Sequence, residues 1–167
     1  MGSVRRHVQI DRDPDTVWRL VGDLARQHEW FPLSSCRVEG KKRWITLRSG
    51  ITFEEDIVTH DHSLRRFQYR MVGNPGITAH LGTCDVLDDG RGGSIVVYST
   101  DMEPEALALV IGGAAGEGLA NLKRLLEHAR DGATVAAERV VTLLVGGDEE
   151  NLAAHQSFLL TRVPRFV

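Results

Sequence analysis

The chain has 167 residues, of which 42% are hydrophobic and 26% charged, and its formal net charge at pH 7 is −3. These values are typical of one globular domain that is long enough to bury a core. Charges of both signs are scattered along the chain, which argues against a nucleic-acid surface, because such a surface needs clustered Lys and Arg.

The N-terminal segment predicts one strand and two short helices. Alternating residues predict a strand over Val4–Ile10. Asp13 is a good helix N-cap and Pro14 suits the first helical position, so a helix should begin there. A second short helix is predicted over Leu24–Glu29. It should end before Trp30-Phe31-Pro32, because proline disfavours helix in the residue before it.

The next part of the chain alternates strand patterns with turn signals. Strands are predicted over Cys36–Gly40, Arg43–Arg48, Ile51–Thr59, Arg66–Val72, Ile77–Leu87 and Ser94–Met102. A tight turn is predicted near Lys41-Lys42, and the later connections contain turn residues, most clearly at Gly73-Asn74-Pro75-Gly76. Successive strands joined by short turns pair as hairpins, so we predict an antiparallel sheet.

A long helix should follow, from Glu103-Pro104 to Asp131-Gly132. Its apolar residues recur at spacings of three and four, which is typical of a helix with one buried face. Within it, the glycines between Val110 and Gly118 imitate a dinucleotide-binding turn. The parallel βαβ succession that such a site needs is missing. We instead predict that the glycines let the helix approach the sheet or a ligand closely, and that the helix bends or starts late there.

The C-terminal segment follows a different pattern. Arg139–Val145 resembles a strand and Glu149–Thr161 a helix, and both are apolar enough to need a partner surface. The predicted organisation is a domain over residues 1–132 and an extension over residues 133–167. We expect the extension to add an edge to the sheet or to pack against a second subunit.

Several features bear on location and cofactors. No window approaches the roughly 20 apolar residues of a membrane-spanning helix, and the first residues lack the apolar core of a signal peptide. Cys36 and Cys84 have no metal-ligand spacing and are too few for a disulfide framework. We therefore predict a cytoplasmic protein with reduced cysteines, no metal, no cofactor and no integral membrane contact.

Short segments in this order resemble the START-like, Bet v 1-like helix-grip superfamily (SRPBCC), which includes bacterial polyketide cyclase/dehydrase relatives. The segments are Pro14-Asp15-Thr16-Val17-Trp18, His28-Glu29-Trp30-Phe31-Pro32, Leu81-Gly82-Thr83, Asp88-Asp89-Gly90, Gly93-Ser94 before Val97-Tyr98, and Gly118-Leu119-Ala120-Asn121-Leu122-Lys123. The resemblance covers about Val4 to Arg130. It implies an α+β fold in which a seven-stranded antiparallel sheet curls around the long C-terminal helix, with two short helices after the first strand.

The resemblance also implies a cavity between sheet and helix that holds a hydrophobic small molecule such as a lipid or polyketide. Alternation along the strands and helical spacing indicate which side chains face it. The predicted ligand contacts are Trp30, Phe67, Tyr69, Met71, Tyr98, Thr100, Ile111, Gly118 and Leu122.

Three ionisable residues are candidates for acid–base chemistry. Alternation places Arg43, Glu55 and His80 on the inward face, so a cation, an acid and a base would meet in an apolar chamber. Plant lachrymatory-factor synthase, another helix-grip enzyme, is similar here: its catalytic arginine, glutamate and tyrosine resemble these three positions, with histidine in place of tyrosine. The alternatives are a surface cation, a solvated acidic face and a hydrogen-bonded core histidine.

Three functions remain open from the sequence. The first is a binding protein for a hydrophobic small molecule. The second is a cyclase, dehydratase or isomerase in which Glu55 or His80 moves protons and Arg43 stabilises negative charge. The third is an interaction module that forms a homodimer through residues 133–167.

Overall fold

In the computed structural model, residues 1–145 are described, with side chains through His128. The chain divides into two compact units, Met1–Glu127 and a second that begins at His128. The first unit contains all strands found in residues 1–145 and every side chain of the sites described below. Within residues 1–145, no helix combines the length and apolar character needed to cross a membrane.

The described elements follow the predicted order. They are β1 (Gly2–Ile10), α1 (Pro14–Val21), a 3₁₀ helix (Leu24–Glu29), β2 (Leu33–Glu39), β3 (Lys42–Leu47), β4 (Thr52–Asp61), β5 (Arg66–Val72), β6 (Ala79–Asp88), β7 (Ser94–Glu103) and α2 (Glu105–Val145). The seven strands predicted between Val4 and Met102 are confirmed, and β5 has the predicted bounds.

One sheet contains all seven strands, in the order β1-β7-β6-β5-β4-β3-β2, and every neighbouring pair is antiparallel. The sheet curls around the part of α2 that belongs to the first unit, residues 105–127, and the core lies between its inner face, α1 and this part of α2. The predicted helix-grip α+β fold is therefore confirmed.

The start of α1 follows from its capping residues. The Asp13 carboxylate accepts a hydrogen bond from the Thr16 backbone N–H at 2.8 Å, and Pro14 occupies the first helical position, where no N–H is needed. The second predicted helix forms as a 3₁₀ helix of six residues. Tight helices of this length are common as connectors between other elements.

The predicted end of the long helix is wrong, and so is the predicted strand over Arg139–Val145. Helix α2 begins at Glu105 and continues through Gly132 to Val145, so it neither starts late nor ends at Asp131-Gly132. A glycine inside a helix costs only about 1 kcal/mol relative to alanine, and a short apolar run does not distinguish strand from helix by its periodicity. The predicted helix over Glu149–Thr161 lies outside the described residues.

The glycines of α2 do allow close approach, as predicted. A Cβ atom on Gly112 would lie 2.5 Å from Cγ1 of Val4, and one on Gly118 would lie 2.7 Å from Cδ2 of Phe31. Contacts this short are not tolerated, so any larger residue at either position would push α2 away from β1 or from Phe31. The two glycines therefore help to set the space between helix and sheet.

Candidate functional site

An apolar cavity of about 190 Å³ lies between the inner face of the sheet and the first part of α2. Strands β2 to β5 and β7, the β5–β6 connection and α2 all contribute to its wall. The side chains that border it are Phe31, Leu33, Ile45, Leu47, Phe53, Tyr69, Met71, Ile77, Met102, Leu107, Val110, Ile111 and Ala114. Apart from the Tyr69 hydroxyl they carry no polar side-chain group that forms strong hydrogen bonds.

Of the predicted ligand contacts, Tyr69, Met71 and Ile111 border this cavity. The others contribute to the packed interior instead: Trp30, Phe67, Tyr98, Thr100 and Leu122 are almost completely buried, and Gly118 packs against Phe31. The sequence thus predicted which side chains point into the interior more reliably than which of them border the cavity. The reason is that most inward side chains of a small domain are consumed by packing.

Phe31, which from the sequence could form a cavity lip or be ordinary packing, borders the cavity. Its ring stacks on Tyr98, with ring centres 5.4 Å apart, and it fills the space left by Gly118. Trp30 forms an edge contact with it at 5.6 Å. The motif Trp30-Phe31-Pro32 therefore positions one wall of the cavity between β7 and α2.

Arg43 and Glu55 form a buried ion pair. The register of β3 and β4 places them directly opposite each other. The Arg43 Nη2 atom lies 2.5 Å from Oε2 of Glu55, and the side chains are 1% and 0% exposed. The alternatives of a surface cation and a solvated acidic face are therefore wrong. The neighbours Glu54 and Asp56 lie on the opposite face of β4, which explains why an acidic run contains one buried member.

Aromatic rings and one amide complete the surroundings of Arg43. Its guanidinium carbon lies 4.6 Å from the ring centre of Phe67 and 4.7 Å from that of Tyr69. Such contacts are favourable because the ring face is electron-rich. On the side of the 3₁₀ helix, Nη1 donates to Oε1 of Gln27. Gln27 was not predicted, because a polar residue in a short helix gives no sequence signal of burial.

The carboxylate of Glu55 is only half satisfied. Its Oε2 atom accepts from Nε of Arg43 at 2.7 Å, whereas Oε1 has no hydrogen-bond partner among the described residues. Burial raises the pKa of Glu55, and the charge of Arg43 and its hydrogen bond oppose that shift. A buried carboxyl group with a raised pKa and a free oxygen is the kind of group that exchanges protons in enzymes.

Tyr69 connects the cavity with the ion pair. Its hydroxyl is 2.6 Å from that of Tyr98, and burial raises the pKa of both phenols, so both stay protonated. Opposite it in the sheet lies Gly82. A Cβ atom there would lie 2.3 Å from the Tyr69 ring, so glycine is required for the ring to occupy this place.

His80 lies beside Tyr69, with ring centres 5.2 Å apart. Its Nδ1 accepts a hydrogen bond from the Met71 backbone N–H at 3.0 Å, which requires the neutral ring with its proton on Nε2. Burial lowers the pKa of His80 to about 4. Of the three predicted catalytic residues, the structure thus joins Arg43 and Glu55 directly and places His80 against the tyrosine that covers Arg43.

Other buried polar atoms near the site lack partners. Nε2 of His80, Nε1 of Trp30 and Oγ1 of Thr100 have no hydrogen-bond partner within the part of the chain that is described. Each buried polar atom of this kind costs roughly 1–3 kcal/mol. No group of three or more His, Cys, Asp or Glu residues within the described ranges is arranged to hold a metal ion.

Comparisons with known proteins agree with this architecture. The profile of the family described as "Polyketide cyclase / dehydrase and lipid transport" matches residues 1–127. A search of functionally curated proteins gives no significant match.

Solved structures share the fold. XoxI from Bacillus cereus superposes with a TM-score of 0.72 at 21% identity, covering 78% of this chain and 99% of XoxI. The di-domain ARO/CYC BexL gives 0.63 at 20% identity, covering 76% of this chain and 47% of BexL. Norcoclaurine synthase from Thalictrum flavum, solved as a point mutant with a transition-state analogue, gives 0.60 at 14% identity, covering 77% and 96%. At these identities the structural likeness shows the fold alone.

Proposed function

Because the chain belongs to the polyketide cyclase/dehydrase and lipid transport family, we propose that it binds a compact hydrophobic molecule in the cavity between the sheet and α2. The observation that carries this proposal is the apolar wall of that cavity, which Ile111 and Val110 of α2 help to form. Burying about 200 Å² of apolar ligand surface would contribute about 5 kcal/mol before the costs of binding.

The cavity volume limits the ligand. An apolar cavity of about 150 Å³ holds benzene, and sites for drug-sized molecules span roughly 300–1,000 Å³. The cavity of about 190 Å³ therefore suits one ring or a short alkyl chain. A fused polycyclic compound would require α2 to move away from the sheet, and this movement would break the close packing of Gly112 on Val4 and of Gly118 on Phe31.

Acid–base transformation of the ligand is the second candidate, and the free Oε1 of Glu55 is the observation that favours it. A catalyst must reach the reacting atoms. Arg43 lies against the face of Tyr69, and Tyr69 borders the cavity. The side chain of Tyr69 therefore lies between the Arg43–Glu55 pair and the cavity. For this reason we rank binding ahead of catalysis.

Native mass spectrometry of the protein purified from its own host tests both candidates. The wild type should carry one hydrophobic compound, and Ile111→Trp, which fills the cavity, should be empty. Leu109→Trp is the matched control, because Leu109 is on the same helix and 68% exposed, and it should carry the compound. The same compound bound to Ile111→Trp would contradict the proposal.

The Glu55→Gln variant separates the two candidates in that experiment. If the protein only binds, wild type and variant should carry a compound of the same mass. A different compound on the variant would indicate that Glu55 takes part in converting it. The predicted homodimer through residues 133–167 and the cytoplasmic location are not tested by the structure or the comparisons and stay predictions.

A further inference from the structure

A second concave site lies beside α1. This surface cleft, which we call the tryptophan cleft, has a volume of about 810 Å³ and is bordered by Trp18, His60 and His62 together with parts of the β2–β3 hairpin. It shares no residue with the apolar cavity. Its volume lies in the range of small-molecule sites.

The aromatic wall of the cleft is built from two distant segments. The ring centres of His60 and His62 are each 5.9 Å from that of Trp18 and 4.5 Å from one another. A register shift between Ile57 and Thr59 makes His60, rather than Thr59, the partner of Phe67 in β5. The shift therefore brings His60 to the face of β4 that meets α1.

Hydrogen bonds fix the tautomer of both imidazoles. Nε1 of Trp18 donates to Nδ1 of His62 at 3.0 Å, so the neutral ring of His62 carries its proton on Nε2 and offers it as a donor. Nε2 of His60 lies 2.8 Å from the carbonyl oxygen of Gly22 and donates to it. A metal ion would need a free unprotonated nitrogen on His62. Nδ1 already accepts the hydrogen bond from Trp18 and Nε2 carries the proton, so neither nitrogen is available to a metal ion.

Two cations border the cleft as well. Neither Arg19 nor Lys41 forms an ion pair within 4 Å with any described residue. Nη2 of Arg19 donates to Oγ1 of Thr16 at 2.7 Å, and the one carboxylate among the bordering side chains is Asp23. The floor is apolar, with Val38 and Ile57. A ligand complementary to this cleft has a flat apolar part, which packs on the imidazoles and the apolar residues, and a negative charge, which interacts with the cations.

We propose that the tryptophan cleft binds a small aromatic carboxylate. Its ring would pack on the exposed imidazoles of His60 and His62, which lie against the buried ring of Trp18. Its carboxylate would accept hydrogen bonds from Nε2–H of His62 and from Lys41, with the charge of Arg19 adding to the attraction. This site is separate from the proposed hydrophobic ligand site, and its test does not depend on that proposal.

The probe is 1-naphthoate, followed by the indole N–H signals in two-dimensional ¹H–¹⁵N NMR spectra. The signal of Trp18 should shift in a saturable manner. The signals of Trp30, which lies in the core, and of Trp44, which packs against Arg37, should not shift. The dissociation constant should rise about fourfold in Lys41→Gln and about tenfold when Arg19→Gln is added, since exposed charges contribute little each. The neutral analogue 1-naphthamide should bind at least several-fold more weakly.

Lys42→Gln is the matched control, because Lys42 pairs with Glu54 on the outer face of the sheet, and its dissociation constant should equal that of the wild type. Equal affinity for 1-naphthamide, or wild-type affinity in Lys41→Gln, would overturn the proposal. So would a shift of the Trp18 signal that disappears in Ile111→Trp, because the probe would then occupy the apolar cavity. A response to Zn²⁺ with none to 1-naphthoate would also overturn it.

Discussion

Replacing Arg43 with methionine is expected to lower the free energy of unfolding by about 3–5 kcal/mol. The variant leaves the carboxyl group of Glu55 buried without its only hydrogen-bond donor among the described residues. It also removes the donor to Gln27. The cost of an unpaired buried charge is larger than the net contribution of the intact pair, because the desolvation of Glu55 is no longer offset.

The double variant Arg43→Met/Glu55→Met should recover most of that loss, because no buried charge remains and the new side chains are apolar. A residual deficit of about 1 kcal/mol is expected from the unpaired amide of Gln27. Urea unfolding of the two single variants and the double variant measures the coupling between the residues.

Arg70→Met is the matched control for this series. Arg70 pairs with Asp56 on the outer face of the same sheet at 3.0 Å, and its side chain is 60% exposed. Its loss should cost about 1 kcal/mol or less. If Arg43→Met costs no more than Arg70→Met, the pair is not the desolvated unit that the structure indicates.

His80 should make stability depend on pH. Burial lowers its pKa from 6.5 to about 4 in the folded protein. Between these values the unfolded chain binds a proton that the folded chain does not, so folding stability is lost as the pH falls through this window. The loss should reach about 2–3 kcal/mol near pH 4.

The comparison with His80→Gln isolates this contribution from that of the carboxylates. The amide oxygen of glutamine can accept from the Met71 N–H without titrating. The stability difference between wild type and variant should therefore shift in favour of the variant as the pH is lowered. His7→Gln, at an exposed position of β1, is the matched control for exchanging a histidine for a glutamine. A constant difference between wild type and His80→Gln from pH 7 to pH 4 would contradict the assignment.

The strands and their inward faces were predictable because alternation and turn residues are local. In β5 the bounds and the inward set Phe67, Tyr69 and Met71 follow from period two and from the glycine-rich turn after it. Predicting the ion pair between Arg43 and Glu55 required more than alternation. The pairing of these residues depends on the register that the turn at Ser49-Gly50 sets between β3 and β4. Alternation placed both on the inner face, but it carried no information on their distance.

The size of the apolar cavity was not predictable. It depends on how closely α2 approaches β1 and Phe31, and that distance follows from contacts at Gly112 and Gly118 between residues far apart in sequence. The tryptophan cleft was missed for a related reason. A register shift in β4 changes which side chain faces α1, and such shifts leave no periodic signal.

The most direct test of the hydrophobic ligand site is the unfolding temperature of the protein in the presence of aromatic hydrocarbons of increasing size. A ligand that binds only the folded state raises this temperature. Toluene should raise it for the wild type and for Leu109→Trp but not for Ile111→Trp, and anthracene should leave all three unchanged because the cavity holds about 190 Å³. An absence of any effect of toluene on the wild type, or an equal effect on Ile111→Trp, would contradict the assignment of this cavity as the ligand site.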